Sequence, residues 1–90
     1  MYSLKPTPFE VSKALAQRFR TIRKQLKLSQ EEMAERSGVS LGSLKRFENT
    51  GKISLESLLK LMHLLGRLNE FEQLLIIKEN PEDLEKLFTK

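Results

Sequence analysis

Between Ser37 and Ser40 the chain leaves only Gly38 and Val39 to end one helix and start the next. Upstream of that point, Leu28-Ser29-Gln30-Glu31-Glu32-Met33 carries a capping box, with Ser29 at the N-cap, Glu32 at N3, and Leu28 and Met33 spaced as a hydrophobic staple. A short second helix therefore starts at Ser29 and turns Met33 and Ala34 inward. Gly38 suits the left-handed conformation that closes a helix and redirects the chain sharply. Ser40 then caps again, with Val39 placed to staple to Leu44. The third helix runs from about Ser40 to Glu48 and stops near Asn49-Thr50-Gly51.

The remaining helices are arranged around this pair. Val11, Leu15, Phe19, Ile22 and Leu26 recur at spacings of four, four, three and four, which draws one apolar stripe along a first helix from Phe9 to Leu26. Lys13, Arg18, Arg20, Arg23, Lys24 and Lys27 occupy its other faces, so this helix reads as core on one side and basic on the other. Ser54 caps a strongly apolar fourth helix, Leu55 to Leu65, stapled by Ile53 and Leu58 and closed by Gly66, which must be central to the core. Asn69 with Glu72 at N3 reads as the cap of a fifth helix, whereas Leu74-Leu75-Ile76-Ile77 suits a helix and a strand equally. Asn80-Pro81-Glu82-Asp83 has a cap, a proline at N1 and acids in the first turn, so Leu84, Leu87 and Phe88 belong to a terminal amphipathic helix.

Ninety residues make one domain with a thin stability margin, because a chain this short buries only a little over ~60% of the surface its unfolded form exposes. A dimer partner would widen that margin. The absence of cysteine excludes disulfides, zinc-thiolate sites and thiol nucleophiles. Residues 1–8 read as a flexible arm with no signal-peptide pattern, and no segment approaches the ~20 apolar residues of a membrane span, so a soluble cytoplasmic protein is expected. Residues 1–50 carry ten Lys and Arg against five acids, and residues 51–90 carry six against seven. The basic first half suggests an anionic partner, nucleic acid among the candidates, although a basic helix face is also ordinary solvated surface.

A tight two-helix turn behind a basic helix is what holds one helix in the major groove of DNA while another braces it on the backbone. At 100° per residue, Leu44 and Phe47 share the inward face of the third helix, and Leu41, Gly42, Lys45 and Arg46 share the outward one. Ser29-Gln30-Glu31-Glu32-Met33-Ala34, then Ser37-Gly38-Val39-Ser40, then Leu44-Lys45-Arg46-Phe47-Glu48-Asn49 together resemble the Cro/CI or XRE class of helix-turn-helix DNA-binding regulators, over roughly residues 17–66. The resemblance implies an all-α, lambda-repressor-like five-helix DNA-binding domain over residues 9–77. Residues 78–90 would follow as a C-terminal helical extension and candidate dimerisation element.

Carried over by position, the resemblance makes Ala34 the small residue that lets the second and third helices approach, and Gly38 the turn residue. It makes Gln30 the glutamine that contacts a phosphate and braces the recognition helix. It makes Arg23 and Glu48 a buried pair tying the first helix to the end of the third. The first outward positions depart from the amides that many phage repressors use to read bases, since Leu41 and Gly42 can make no bidentate contact. Leu41 could touch a thymine methyl and Gly42 could allow close approach, which shifts base reading to Lys45 and Arg46, both suited to guanine O6 and N7. Ser40, Ser43 and Asn49 are expected on phosphates. Lys45 and Arg46 would also serve as phosphate contacts alone, and Ser29 and Ser40 as caps alone.

An enzyme is not expected, since the chain has one histidine, one aspartate and no cysteine, and neither a metal-ligand spacing nor a phosphate-cradling glycine loop. No cofactor follows either. His63, within the apolar fourth helix, reads as a packed or surface residue, and Asp83 as part of a cap. The expected partner is double-stranded DNA, bound by a homodimer that acts as a repressor on a palindromic operator with no membrane involvement. Phe71, Leu74, Leu75, Ile76, Ile77, Leu84, Leu87 and Phe88 exceed what one small domain needs and are the candidate dimer contacts. The alternative is the antitoxin half of a toxin-antitoxin pair, which would also repress its own operon. Ile53-Ser54-Leu55-Glu56-Ser57-Leu58 leading to Leu65-Gly66-Arg67-Leu68-Asn69-Glu70-Phe71 is similar to regulators found beside HipA-like kinases.

Overall fold

Thr7, not Phe9, sets the start of the fold. Its hydroxyl accepts from the Glu10 backbone N–H (3.1 Å) and its own N–H donates to Glu10 Oε1 (2.8 Å), a capping box that holds Pro8 at the first position of α1, Pro8–Gln25. The computed structural model describes residues 6–77, and all the regular structure among them is helical. Thr7 and Pro8 thus belong to α1 rather than to the arm expected over residues 1–8.

Helix α2, Gln30–Ser37, begins on the Ser29 box, in which the hydroxyl accepts from Glu32 N–H (3.0 Å) and the Ser29 N–H donates to Glu32 Oε1 (2.8 Å). Ser29 holds the Glu32 carboxyl below the usual carboxylate range, first through its backbone N–H and then through its side chain. Gly38 closes α2 at φ 81° and donates to the Ala34 carbonyl (3.0 Å), which satisfies one of the orphan acceptors at the helix end. Ser40 caps α3, Leu41–Thr50, and Ser54 caps α4, Leu55–Leu64, each by accepting from the backbone N–H three residues on. Helix α5 is the short segment Leu68–Glu72.

One core joins the first four helices. Ala16 and Phe19 from α1, Met33 and Ala34 from α2, Val39 from the turn, Leu44 and Phe47 from α3, and Leu58 and Leu61 from α4 are all buried. Phe19 and Phe47 meet with ring centroids 5.7 Å apart and tilted by 54°, the offset geometry aromatic pairs prefer. Helix α3 packs against both α1 and α2, α4 lies against α2, and α5 against α4.

Three expectations are corrected. The α1 stripe is core only in its middle: Leu15 and Ile22 are half-buried, but Val11 and Leu26 are exposed, because α1 outruns its neighbours at one end and turns away at Leu26 at the other. Asn69 sits inside α5 and does not cap it; Arg67 holds the N-cap position without a side-chain capping bond, its guanidinium instead pairing with Glu70. The run Leu74–Ile77 is neither helix nor strand. It forms a turn and an extended exit, with Leu75 at φ 63° and 98% exposed. His63 is exposed. The terminal helix expected from Asn80, with Leu84, Leu87 and Phe88, lies outside the described residues.

Candidate nucleic-acid interface

Helix α3 has two faces with different work. Leu44, Phe47 and Glu48 are buried, which fixes the helix, while Gly42, Ser43, Lys45, Arg46 and Asn49 are exposed along the other side. Leu41 departs from its expected outward place. As the first helical residue it stands one turn below Leu44 and in line with Glu48, and it is half-buried against the core. That packing leaves only part of its side chain in solvent beside Lys45.

A knot of charge and amide locks the angle of α3. Arg23 donates from Nε to Glu48 Oε2 (2.7 Å) and from Nη2 to Glu48 Oε1 (2.9 Å), and its Nη1 reaches the Leu28 carbonyl (2.8 Å). This is the bidentate fork that makes guanidinium-carboxylate pairs both strong and directional. Glu48, hydrogen-bonded to it, raises the Arg23 pKa above its already high value, and burial opposes that rise. Gln30 Nε2 also donates to Glu48 Oε1 (3.0 Å). A carboxylate can only accept, so the amide nitrogen faces it and one N–H of the Gln30 amide is used there. The knot thus spans α1, α2, α3 and the α1–α2 turn. No buried side-chain nitrogen or oxygen among the described residues lacks a partner.

The outward groups sit beside one further cation that the sequence did not single out, Lys52. Ser43, Arg46, Lys52, Ile53, Ser54 and Ser57 line a cleft of about 370 Å³ between α3 and the start of α4. Lys52 was invisible to helical periodicity because it lies in the α3–α4 connection. Lys45 and Arg46 make no ion pair among the described residues. Ser40 Oγ and Ser43 Oγ are 2.9 Å apart, with Ser40 also capping, so both hydroxyls stand at the entry to α3. The Asn49 side chain is exposed and only its backbone carbonyl is engaged, by Lys13 Nζ at 3.0 Å.

A protein-family model described as helix-turn-helix matches residues 19–71, more than half of the chain. The chain belongs to the XRE family of helix-turn-helix regulators. The match opens inside α1 and closes inside α5, so α2, the turn and α3 lie wholly within it. No curated protein and no solved structure matches the chain. Family membership carries double-stranded DNA binding and transcription regulation, on the lambda-repressor-like all-α fold described above. Among the described residues there is no cluster of His, Cys, Asp or Glu placed to hold a metal ion, and no helix long and apolar enough to cross a membrane.

Gly42 offers a direct test of the exposed face. A Cβ built there meets nothing within 4 Å, so Gly42→Ala should stabilise the fold by roughly 0.5–1 kcal/mol through helix propensity alone. Urea unfolding reads that gain; a loss of stability would mean that the open space beside Gly42 is filled in solution.

Proposed function

We propose that this chain is a sequence-specific repressor that binds double-stranded DNA as a homodimer, with α3 in the major groove. The observation that carries this reading is the division of α3 into a locked inner face and an outer face on which Lys45 and Arg46 are exposed and make no ion pair among the described residues. Lys45 and Arg46 read guanine O6 and N7, and Gly42 admits the DNA closely. Ser40, Ser43, Asn49 and Gln30 bind phosphates, while Arg23, Glu48, Ala34 and Gly38 hold the unit in shape. Its role is binding and not catalysis, in the cytoplasm.

The dimer half of the proposal is supported by Leu74–Ile77, four apolar residues each about half or more exposed at the end of the described chain. Apolar side chains in such a run gain by being covered. In the proposed division, residues 9–77 form the DNA-binding unit, and residues 78–90 continue the dimer element. A two-fold dimer would set its recognition helices ~34 Å apart and call for a palindromic operator.

The test is fluorescence anisotropy against labelled DNA from upstream of the gene and against a scrambled duplex, at two salt concentrations. Lys45→Ala and Arg46→Ala should each remove ~1–3 kcal/mol of the preference for the upstream DNA. Equal binding of the wild type to both duplexes would overturn the sequence-reading proposal, and a monomer at micromolar concentration would overturn the dimer.

A second reading has its own observation. Leu55, Leu59 and Leu68 border a shallow, mainly apolar groove beside α4 that also includes Ser37, Glu56, Lys60 and His63. An antitoxin that holds a HipA-like kinase while repressing its operon would need such a surface. A stable complex with a co-encoded partner would establish it, and independent elution of the two proteins would dismiss it.

A further inference from the structure

We infer that Lys13 and Gly51 are positioning residues that clamp the C-terminal end of the recognition helix onto α1, and so set the aim of Lys45, Arg46 and Asn49. The inference rests on the DNA-reading role proposed above.

Two independent observations meet at one seam. The last four carbonyls of a helix have no partner within it. At the end of α3, Phe47 finds the Gly51 N–H (2.7 Å), and Asn49 finds Lys13 Nζ (3.0 Å), a side chain from the second turn of α1. A cation at that place also faces the negative end of the helix dipole. One residue along α1, the backbone itself is the wall. A Cβ on Gly51 would lie 2.9 Å from the Ser12 carbonyl carbon, 3.0 Å from its oxygen and 3.1 Å from the Lys13 nitrogen. Backbone cannot swing aside as a side-chain tip can, and Gly51 also stands at φ 82°, where any other residue is strained. Residues 12–13 of α1 thus supply both the surface against which α3 ends and the bond that holds it there.

The consequence for reading is geometric. The core and the Arg23–Glu48 fork hold the inner face of α3, but Lys45, Arg46 and Asn49 project from its middle and last turn. Bidentate recognition needs donors placed to about 0.5 Å and 10–20°. Residues 49–51 lie beyond the fork at Glu48, so their placement rests on the Lys13 bond and the Ser12–Lys13 backbone.

The experiment uses the full chain, Lys13→Met, Lys13→Arg and Gly51→Ala. Methionine keeps the aliphatic stem and removes the bond, and arginine restores a donor. Amide hydrogen exchange should quicken roughly fivefold at Thr50 and Gly51 in Lys13→Met with Leu44 and Leu61 unchanged, and return in Lys13→Arg. In anisotropy, the preference for upstream over scrambled DNA should fall by about tenfold, the order of one misaligned bidentate contact. Affinity for the scrambled duplex and the salt slope should hold. Equal losses on both duplexes with a salt slope lower by about one would make Lys13 a phosphate contact and overturn the clamp. Unchanged exchange at Thr50 and Gly51 would overturn it too, as would faster exchange with full specificity. If the wild type itself shows no preference between duplexes, the DNA-reading role fails, while the exchange result still decides whether the clamp exists. Gly51→Ala adds no charge change, and if it folds it should lose specificity like Lys13→Met.

Discussion

Glu48→Ala should lower folding stability by ~3–5 kcal/mol, because it leaves the Arg23 guanidinium buried without its counter-charge. The Glu48 side chain is 1% exposed and that of Arg23 9%, so water cannot step in as a substitute partner. Gln30 would lose its acceptor as well. A domain of this size commonly has only about 5–13 kcal/mol in total, so the variant should be close to unfolded at ambient temperature. At ~4–8 °C of Tm per kcal/mol, the thermal transition should fall by well over 10 °C. The decisive control is the double variant Arg23→Met/Glu48→Leu. Apolar replacement of a whole buried pair is often neutral, so the double variant should be more stable than Glu48→Ala alone. The exposed Lys60–Glu56 pair, at 3.7 Å, supplies the contrast, since pairs of that kind contribute ~0–1 kcal/mol. If Glu48→Ala loses less than about 1 kcal/mol in urea titration, the fork is solvated in solution and does not lock α3.

Phe47→Ala should cost ~3–5 kcal/mol by emptying the inner face of the recognition helix. Phe47 is 1% exposed and meets Phe19 in a tilted ring contact, so the loss includes both buried area and an aromatic contact. An apolar recess of about 160 Å³, lined among others by Leu15, Phe19, Leu58 and Met62, already borders the ring and opens to solvent. Neighbouring side chains can relax into the space, which places the expected cost toward the lower end of that range. Chemical denaturation measures it. A value below about 1.5 kcal/mol would mean that the α1–α3 packing is looser than the burial of Phe47 requires.

The turn unit was legible in the chain because each of its steps is decided locally. Ser29, Ser40 and Ser54 cap through atoms three residues away, and Gly38 answers a backbone angle, so no distant contact was needed to place them. The caps of α1 and α5 show where local rules tie. Thr7 and Glu10 carry the same box as Ser29 and Glu32, but the prolines around Thr7 read as an arm. Asn69 with Glu72 had the right letters, yet Arg67 and Leu68 enter the helix first because the chain leaves Gly66 already turned against α4. Leu41 lies where a two-faced reading of the helix ties: at 100° per residue it is about 20° from the buried Glu48 and about 60° from Leu44, at the border of the two faces, and it is half-buried. The Lys13 contact with Asn49 joins residues 36 apart in sequence, and periodicity carries no signal for such a pair.

The independence of the two faces of α3 has an evolutionary consequence. Gly42 has no side chain, those of Lys45, Arg46 and Asn49 contribute nothing to the core or to the Arg23–Glu48 knot, and Asn49 meets Lys13 through its backbone, which every residue possesses. These positions can be rewritten as a set without asking the scaffold for compensation. A lineage carrying this fold can therefore change the address it is sent to by duplication and a few substitutions, at nearly constant stability, while the letters at 23, 44, 47 and 48 stay under the tighter rule that they must change together or not at all.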